Sequence, residues 1–108
     1  MKEDVCLALC TFPDAETARK ISRTLIEEAL TACANIVSGV DSIYFWRGKV
    51  EESSEVLTIF KLAKDKYEQF ENRLRMLHPY DVPEIIQLPI AGGSADYLRW
   101  VGESCAHH

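Results

Sequence analysis

The chain lacks the features by which nucleic-acid-binding, membrane and disulfide-rich proteins are usually recognised. It has no run of basic side chains, and 12 lysines and arginines against 17 aspartates and glutamates give its 108 residues a net charge of −5. An acidic domain of this kind is a poor electrostatic match for nucleic acid or for an anionic membrane. The apolar runs are also far too short to span a bilayer. We therefore expect neither nucleic acid nor a membrane as a partner.

Signals for secretion are also missing. The chain begins Met-Lys-Glu-Asp, with no basic segment followed by an apolar one, and its four cysteines show no CxxC spacing. We expect a cytoplasmic protein with reduced, mostly buried thiols. We leave His107 and His108 out of the functional argument, and expect residues 1–3 and 104–108 to be flexible.

Motifs that mark common catalytic sites are absent as well. The sequence contains no glycine-rich phosphate loop, no GxSxG elbow and no HExxH pair. A nucleophilic pair of Cys10 and His78 is conceivable, but no third group that would orient the base is identifiable. The loop after the first predicted strand also lacks the basic, glycine-containing character of an acyl-phosphate hydrolase. We predict a protein that is not an enzyme.

Hydrophobic periodicity predicts one α+β domain over residues 1–108. Apolar residues at helical spacing predict helices that begin near Asp14, Tyr67 and Ser94, the first of them ending near Thr31. Runs rich in β-branched and aromatic residues predict four strands, at 5–11, 33–46, 49–63 and 84–90. The order is βαββαβ with an additional C-terminal helix, which is the ferredoxin-like arrangement of an antiparallel sheet.

Two features of the strands predict self-association. The two arms of the central hairpin, about 13 residues each, would be about 40 Å long, which is more than a small domain needs. The first, third and fourth strands are also apolar on both faces, although the two main helices of this fold cover only one face. The uncovered face therefore requires a partner, and further copies of the same chain are the simplest one.

The candidate functional residues gather at one edge of the predicted sheet. The first strand ends there with Cys10, the second helix ends there with His78, and the fourth strand begins there after the run 78–84. A thiol and an imidazole together suit copper or zinc, with further ligands available from a neighbouring subunit. The loop before the fourth strand and the hairpin turn add candidate ligand-binding residues, namely Tyr44, Trp46, Lys49, Glu51, Tyr80 and Glu84.

Structural roles for the same residues remain open. His78 at a helix C-terminus can serve the helix dipole, and Cys10 in an apolar strand can be an ordinary core residue. Tyr44 and Trp46 share one parity of the hairpin and can be packing residues, whereas Lys49 beside Gly48 can be a turn residue. Glutamates at 51, 52 and 55 can simply keep a strand edge soluble.

The order of the motifs resembles that of the CutA divalent-cation tolerance proteins. The resemblance runs from about residue 5 to residue 101 and rests on five segments: CTFPD at 10–14, ACANI at 32–36, SIYFWRGK at 42–49, HPYDVPEI at 78–85 and YLRW at 97–100. It implies a homotrimer that responds to divalent metal ions, copper above all, with Cys10 and His78 matching positions implicated in copper binding. Some members carry a second histidine where this chain has Leu77.

Two alternative functions stay open beside metal binding. The architecture is similar to that of the PII signalling proteins, which are trimers that bind nucleotides between subunits. This likeness implies a sensor of small molecules, with the six ligand candidates lining the clefts between its subunits. A trimer could also act as a scaffold for a protein partner.

Overall fold

The computed structural model describes residues 4–106, which form four strands and three α-helices. The strands are β1 (Val5–Phe12), β2 (Cys33–Trp46), β3 (Lys49–Ala63) and β4 (Ile85–Pro89). The helices are α1 (Ala15–Glu27), α2 (Tyr67–Leu77) and α3 (Ala95–Ser104), and a short 3-10 turn (Lys64–Lys66) precedes α2. All pairings are antiparallel and the sheet order is β2-β3-β1-β4, which confirms the predicted α+β fold.

Helix α1 begins as predicted but ends earlier. The Asp14 carboxylate accepts a hydrogen bond from the Thr17 backbone N–H at 2.7 Å and so caps the first turn. The predicted end near Thr31 is wrong, because Ala29 adopts the left-handed conformation with φ of 59°. The Leu30 N–H then bonds the Leu25 carbonyl, the pattern of a Schellman motif, which terminates a helix.

The β2–β3 hairpin closes through a tight two-residue turn. Arg47 and Gly48 have φ angles of 50° and 80°, and the flanking residues Trp46 and Lys49 pair directly. Two successive positive φ angles match the right-handed twist of the strands that they join. The pairing register shifts between Val37 and Val40, beside Gly39, which has a φ angle of 78°.

The hydrophobic core lies between the sheet and helices α1 and α2. Cys6, Ala8, Cys10 and Phe12 alternate along β1 and are almost completely buried. Phe60 of β3 meets Phe70 of α2 edge to face, with ring centroids 5.0 Å apart. The helices therefore cover one side of the sheet.

The opposite side of the sheet remains partly exposed and apolar. Leu9 pairs with Ile59 on one neighbouring strand and with Ile86 on the other, so all three side chains share this side. Ile86 is 46% exposed. We call this surface the open face; its members along the three strands are Leu7, Leu9, Leu57, Ile59, Ile86 and Leu88.

The hairpin extends beyond the core, as its length predicts. The domain measures 48 × 27 × 22 Å, and apolar side chains near the hairpin tip are among its most exposed. Phe45 and Val50 pair across the strands and are 72% and 71% exposed.

The structure shows the surroundings of the cysteines and of the C-terminal segment. All four cysteines are free, and Cys6, Cys10 and Cys105 are buried, as the sequence predicts. Of the ends expected to be flexible, residues 1–3 and 107–108 lie outside the described residues. Ser104, however, is the last residue of α3, and Cys105 is buried in the core. Among residues 4–106, no helix combines the length and the apolar character that crossing a membrane requires.

Candidate functional site: an acidic, aromatic cleft at the base of the hairpin

The run 78–84 connects α2 to β4 at the edge of the sheet where the sequence predicts the site. His78 caps α2 in an extended conformation, and its backbone N–H still bonds the Leu74 carbonyl at 2.9 Å. Pro79 then cannot continue the helix. Ile85, the first residue of β4, pairs with Cys10 near the end of β1. The topology therefore brings the two chain segments together as expected.

Both ring nitrogens of His78 are engaged in hydrogen bonds. Its Nδ1 accepts from the Tyr80 backbone N–H at 3.1 Å, and its Nε2 lies 2.8 Å from the Thr11 carbonyl oxygen. Because an N–H can only donate and a carbonyl can only accept, the ring is neutral with its proton on Nε2. The ring is buried and stacks on Phe12 at a centroid distance of 4.8 Å. This burial lowers the pKa of His78, against smaller opposing effects of the Thr11 carbonyl and Glu55.

Cys10 is also enclosed. Its side chain is fully buried, and its Sγ donates a weak hydrogen bond to the Thr11 carbonyl at 3.6 Å. Burial raises the pKa of the thiol strongly, and the nearby carboxylates of Glu84 and Glu55 raise it further. The thiol is therefore protonated at neutral pH.

Cys10 and His78 consequently do not fit a ready metal site within one chain. A metal ion takes a thiolate and a free imidazole nitrogen, whereas here the thiol holds its proton and both ring nitrogens have partners. Within residues 4–106, no three histidine, cysteine, aspartate or glutamate side chains are grouped closely enough to hold a metal ion. His78 therefore joins the run 78–84 to β1, whereas Cys10 is a buried residue of the core.

A cleft of about 650 Å³ opens beside this junction, at the base of the hairpin. We call it the hairpin cleft. Four of the six predicted ligand candidates line it, namely Tyr44, Trp46, Tyr80 and Glu84. Lys49 and Glu51, which pair with Trp46 and Tyr44 across the hairpin, do not line it. Its other lining residues are Thr11, Ser42, Ile43, Ser53, Glu55, Asp81 and Val82.

Glu55 is the cleft residue that sequence reasoning did not place. It is only 9% exposed, and its Oε2 accepts a hydrogen bond from the Tyr80 hydroxyl at 2.7 Å. Burial and the Glu55 carboxylate together raise the pKa of Tyr80, so the phenol remains a donor. Glu55 shares its strand parity with Glu51 and directly precedes the buried Val56. That position, where an exposed strand enters the core, is the signal that could have identified it.

The charges of the hairpin cleft are of one sign. Glu55, Asp81 and Glu84 line it, and among its lining residues there is no lysine, arginine or histidine. A concave surface with carboxylates and no compensating cation attracts positive charge and repels anions. The geometry therefore favours a cationic ligand.

The sequence comparisons with known proteins all point to one family. The sequence model of the CutA1 divalent ion tolerance proteins matches residues 6–104. The chain is 46% identical over 98 residues to the divalent-cation tolerance protein CutA of Thermus thermophilus, covering 91% of this chain and 95% of that one. It is 44% identical over 94 residues to a chloroplastic CutA protein of Arabidopsis thaliana, covering 87% of this chain and 52% of that one.

A solved structure agrees with these sequence matches. The fold superimposes on CutA1 from Ehrlichia chaffeensis with a TM-score of 0.92 and 32% identity, over 98% of this chain and 99% of that one. The match spans all the strands and helices, including the elongated hairpin and the run that leads into β4. The chain belongs to the CutA1 family of divalent ion tolerance proteins.

Proposed function

We propose that this chain acts in divalent-cation tolerance as a homotrimer that binds divalent metal ions, copper among them, without catalysing a reaction. The family name supports the link to divalent cations. The open face and the exposed hairpin support self-association, because apolar surface of this extent is otherwise left in water.

The observation that carries the proposal is the charge of the hairpin cleft. Its lining holds three carboxylates and no cationic side chain, so it concentrates cations at the junction of β1, β3 and β4. Carboxylate oxygens coordinate divalent ions, and copper(II) binds most such sites more tightly than other divalent ions of its series.

A single chain does not supply a complete set of metal ligands in this proposal. Glu55 and Glu84 provide the first contacts, and the remaining ligands come from water and from a neighbouring subunit. Cys10 and His78 lie behind the cleft with their donor atoms engaged, so either would have to give up its present hydrogen bond before it could bind the ion.

Calorimetric titration of the reduced protein with copper(II) tests this assignment. The protein is truncated before His107 so that the terminal imidazoles do not contribute. We expect saturable binding that weakens at least tenfold in Glu84→Gln. The matched control is Glu52→Gln, which removes one carboxylate from β3 but does not line the cleft.

Two further variants separate the cleft from the residues behind it. If Cys10→Ser or His78→Ala abolishes copper binding while Glu84→Gln leaves it unchanged, the metal site lies at the thiol and imidazole and the cleft assignment is wrong. Equal binding in all four variants would contradict both locations.

The charge of the cleft also ranks the alternative functions. A PII-like site for nucleotides would need positive charge near the phosphates, and Lys49 lies outside the cleft. Stabilisation of the protein against heat by ATP, but not by divalent metal, would favour that alternative. Retention of one protein partner in a stoichiometric complex would favour a scaffold instead.

The cytoplasmic location stays a prediction, since one of the relatives is a chloroplastic protein.

A further inference from the structure

The hairpin cleft is larger and more aromatic than a metal ion requires. A volume of about 650 Å³ lies in the range of sites that hold small organic molecules. Tyr44, Trp46 and Tyr80 line it, and these rings provide wide apolar surfaces that do nothing to coordinate a metal ion. Metal binding therefore leaves the aromatic part of the cleft unexplained.

Glu55 points to the charge of the molecule that fits. The residue is nine-tenths buried, and its carboxylate receives one hydrogen bond from the neutral Tyr80 hydroxyl and, within residues 4–106, forms no salt bridge. Burying a carboxylate without a cationic partner costs free energy, which a bound cation recovers. The lining residues supply no such cation.

The aromatic rings are suited to the same charge. Tyr44 and Trp46 are 42% and 41% exposed in one chain, so packing within the chain does not use up their ring surfaces. The Arg47 guanidinium already lies 5.4 Å from the centre of the Trp46 ring, although Arg47 does not line the cleft. Aromatic faces attract cations through their quadrupole, and indole does so most strongly.

We infer that the hairpin cleft binds a small organic cation with an apolar body. Its charged head lies between the carboxylates of Glu55 and Glu84 and the ring faces of Tyr44 and Trp46, and its apolar body packs against the same rings. The inference goes beyond the proposed metal-binding function and shares with it only the negative charge of the cleft. A divalent ion and an organic cation would compete for the same carboxylates.

A matched series of probes tests this inference on the assembled protein with a chelator present, so that metal binding plays no part. Benzylamine, benzyl alcohol and benzoate have the same ring and are positive, neutral and negative at neutral pH. We expect saturable calorimetric binding of benzylamine, at least tenfold weaker binding of benzyl alcohol and no binding of benzoate.

Three variants locate the probe. Glu55→Gln keeps the acceptor for the Tyr80 hydroxyl but removes the charge, and we expect it to weaken benzylamine binding about tenfold. Trp46→Leu should weaken it by a similar factor through loss of the ring. Glu52→Gln, at a residue that does not line the cleft, should leave binding unchanged.

Two results would overturn the inference. One is benzylamine binding no tighter than benzyl alcohol; the other is an equal loss in Glu52→Gln and Glu55→Gln, which marks general attraction to an acidic protein. Neither result bears on copper binding, which is measured separately without a chelator. Conversely, failure of copper to bind would leave the organic-cation site standing.

Discussion

The two halves of the β2–β3 ladder share one hydrogen-bonding pattern but have opposite surroundings. In the half of β3 near the core, Val56, Thr58, Phe60 and Leu62 are buried in alternation. In the half near the turn, Phe45 and Val50 pair with each other and are largely exposed to solvent. Residue type does not separate the halves, since both carry apolar and aromatic side chains.

Length accounts for the difference. A helix of 13 residues such as α1 is about 20 Å long, whereas a strand of 15 residues such as β3 approaches 50 Å. The helices can therefore cover only part of the hairpin. The comparison shows that one chain completes its core but leaves the far half of its longest strands exposed.

The strongest test of this comparison is Phe60→Ala in the half near the core. Phe60 is fully buried and packs against Phe70, so its removal should lower the free energy of unfolding by about 3–5 kcal/mol. Chemical denaturation at fixed protein concentration measures the change. Phe45→Ala is the comparison, because Phe45 is 72% exposed in one chain, and we expect it to lower stability less and only through assembly. An equal loss of stability from both variants would show that the two halves do not differ within the chain.

The half near the turn should matter for assembly instead. Replacing both Phe45 and Val50 by serine should shift the solution mass of the protein towards that of one chain, with the far-ultraviolet circular dichroism retained. Light scattering at micromolar concentration measures the mass. Met76→Ser is the control, since Met76 on α2 is 77% exposed but lies outside the hairpin. An unchanged mass for the double variant would place the contact between copies elsewhere.

A smaller effect is expected at the junction between the halves, where His78 is buried as a neutral ring. Its pKa is lowered in the folded protein, so the unfolded chain takes up a proton more readily than the folded one does. The contribution of the buried neutral His78 ring to the free energy of unfolding is complete above the pKa of histidine in the unfolded chain, about 6.5. It is lost as the pH falls from there towards the lower folded pKa. Stability should therefore decrease between pH 7.5 and pH 5.

Substitution of His78 separates its contribution from that of the carboxylates. Denaturation of the wild type and His78→Gln, both truncated before His107, should show a shallower decrease for the variant over this range. The pKa values of Asp14 and Glu28 are lowered by their hydrogen bonds, so these groups act at more acidic pH. The same slope in both proteins would assign the pH dependence to another group.

Local patterns predicted most of the fold. The four strands and three helices were predicted within a few residues, because period-2 and helical spacing, Asp14 as a cap and Gly48 in the turn are all signals of nearby residues. The end of α1 was not predicted. Ala29 adopts a left-handed conformation that its side chain does not favour, and the hydrogen bonds that follow it impose that conformation.

The site was predicted in outline but not in detail. Topology correctly brought His78, Tyr80 and Glu84 to the end of β1, and placed Tyr44 and Trp46 near them. It did not show that His78 uses both ring nitrogens for structure, that Lys49 and Glu51 do not line the cleft, or that Glu55 does. These details depend on distances between side chains from different strands.

The sequence by itself determined the family, the order of the elements, the turn at the hairpin and the apolar character of the open face. Each of these follows from composition, spacing or motif order along the chain. Only the tertiary structure decided which groups share the hairpin cleft and what charge it has. Glu55 and Tyr80 are 25 residues apart and meet at 2.7 Å because β3 and the loop before β4 converge on the end of β1. A contact of that kind depends on how strands far apart in sequence are packed, which no local pattern records.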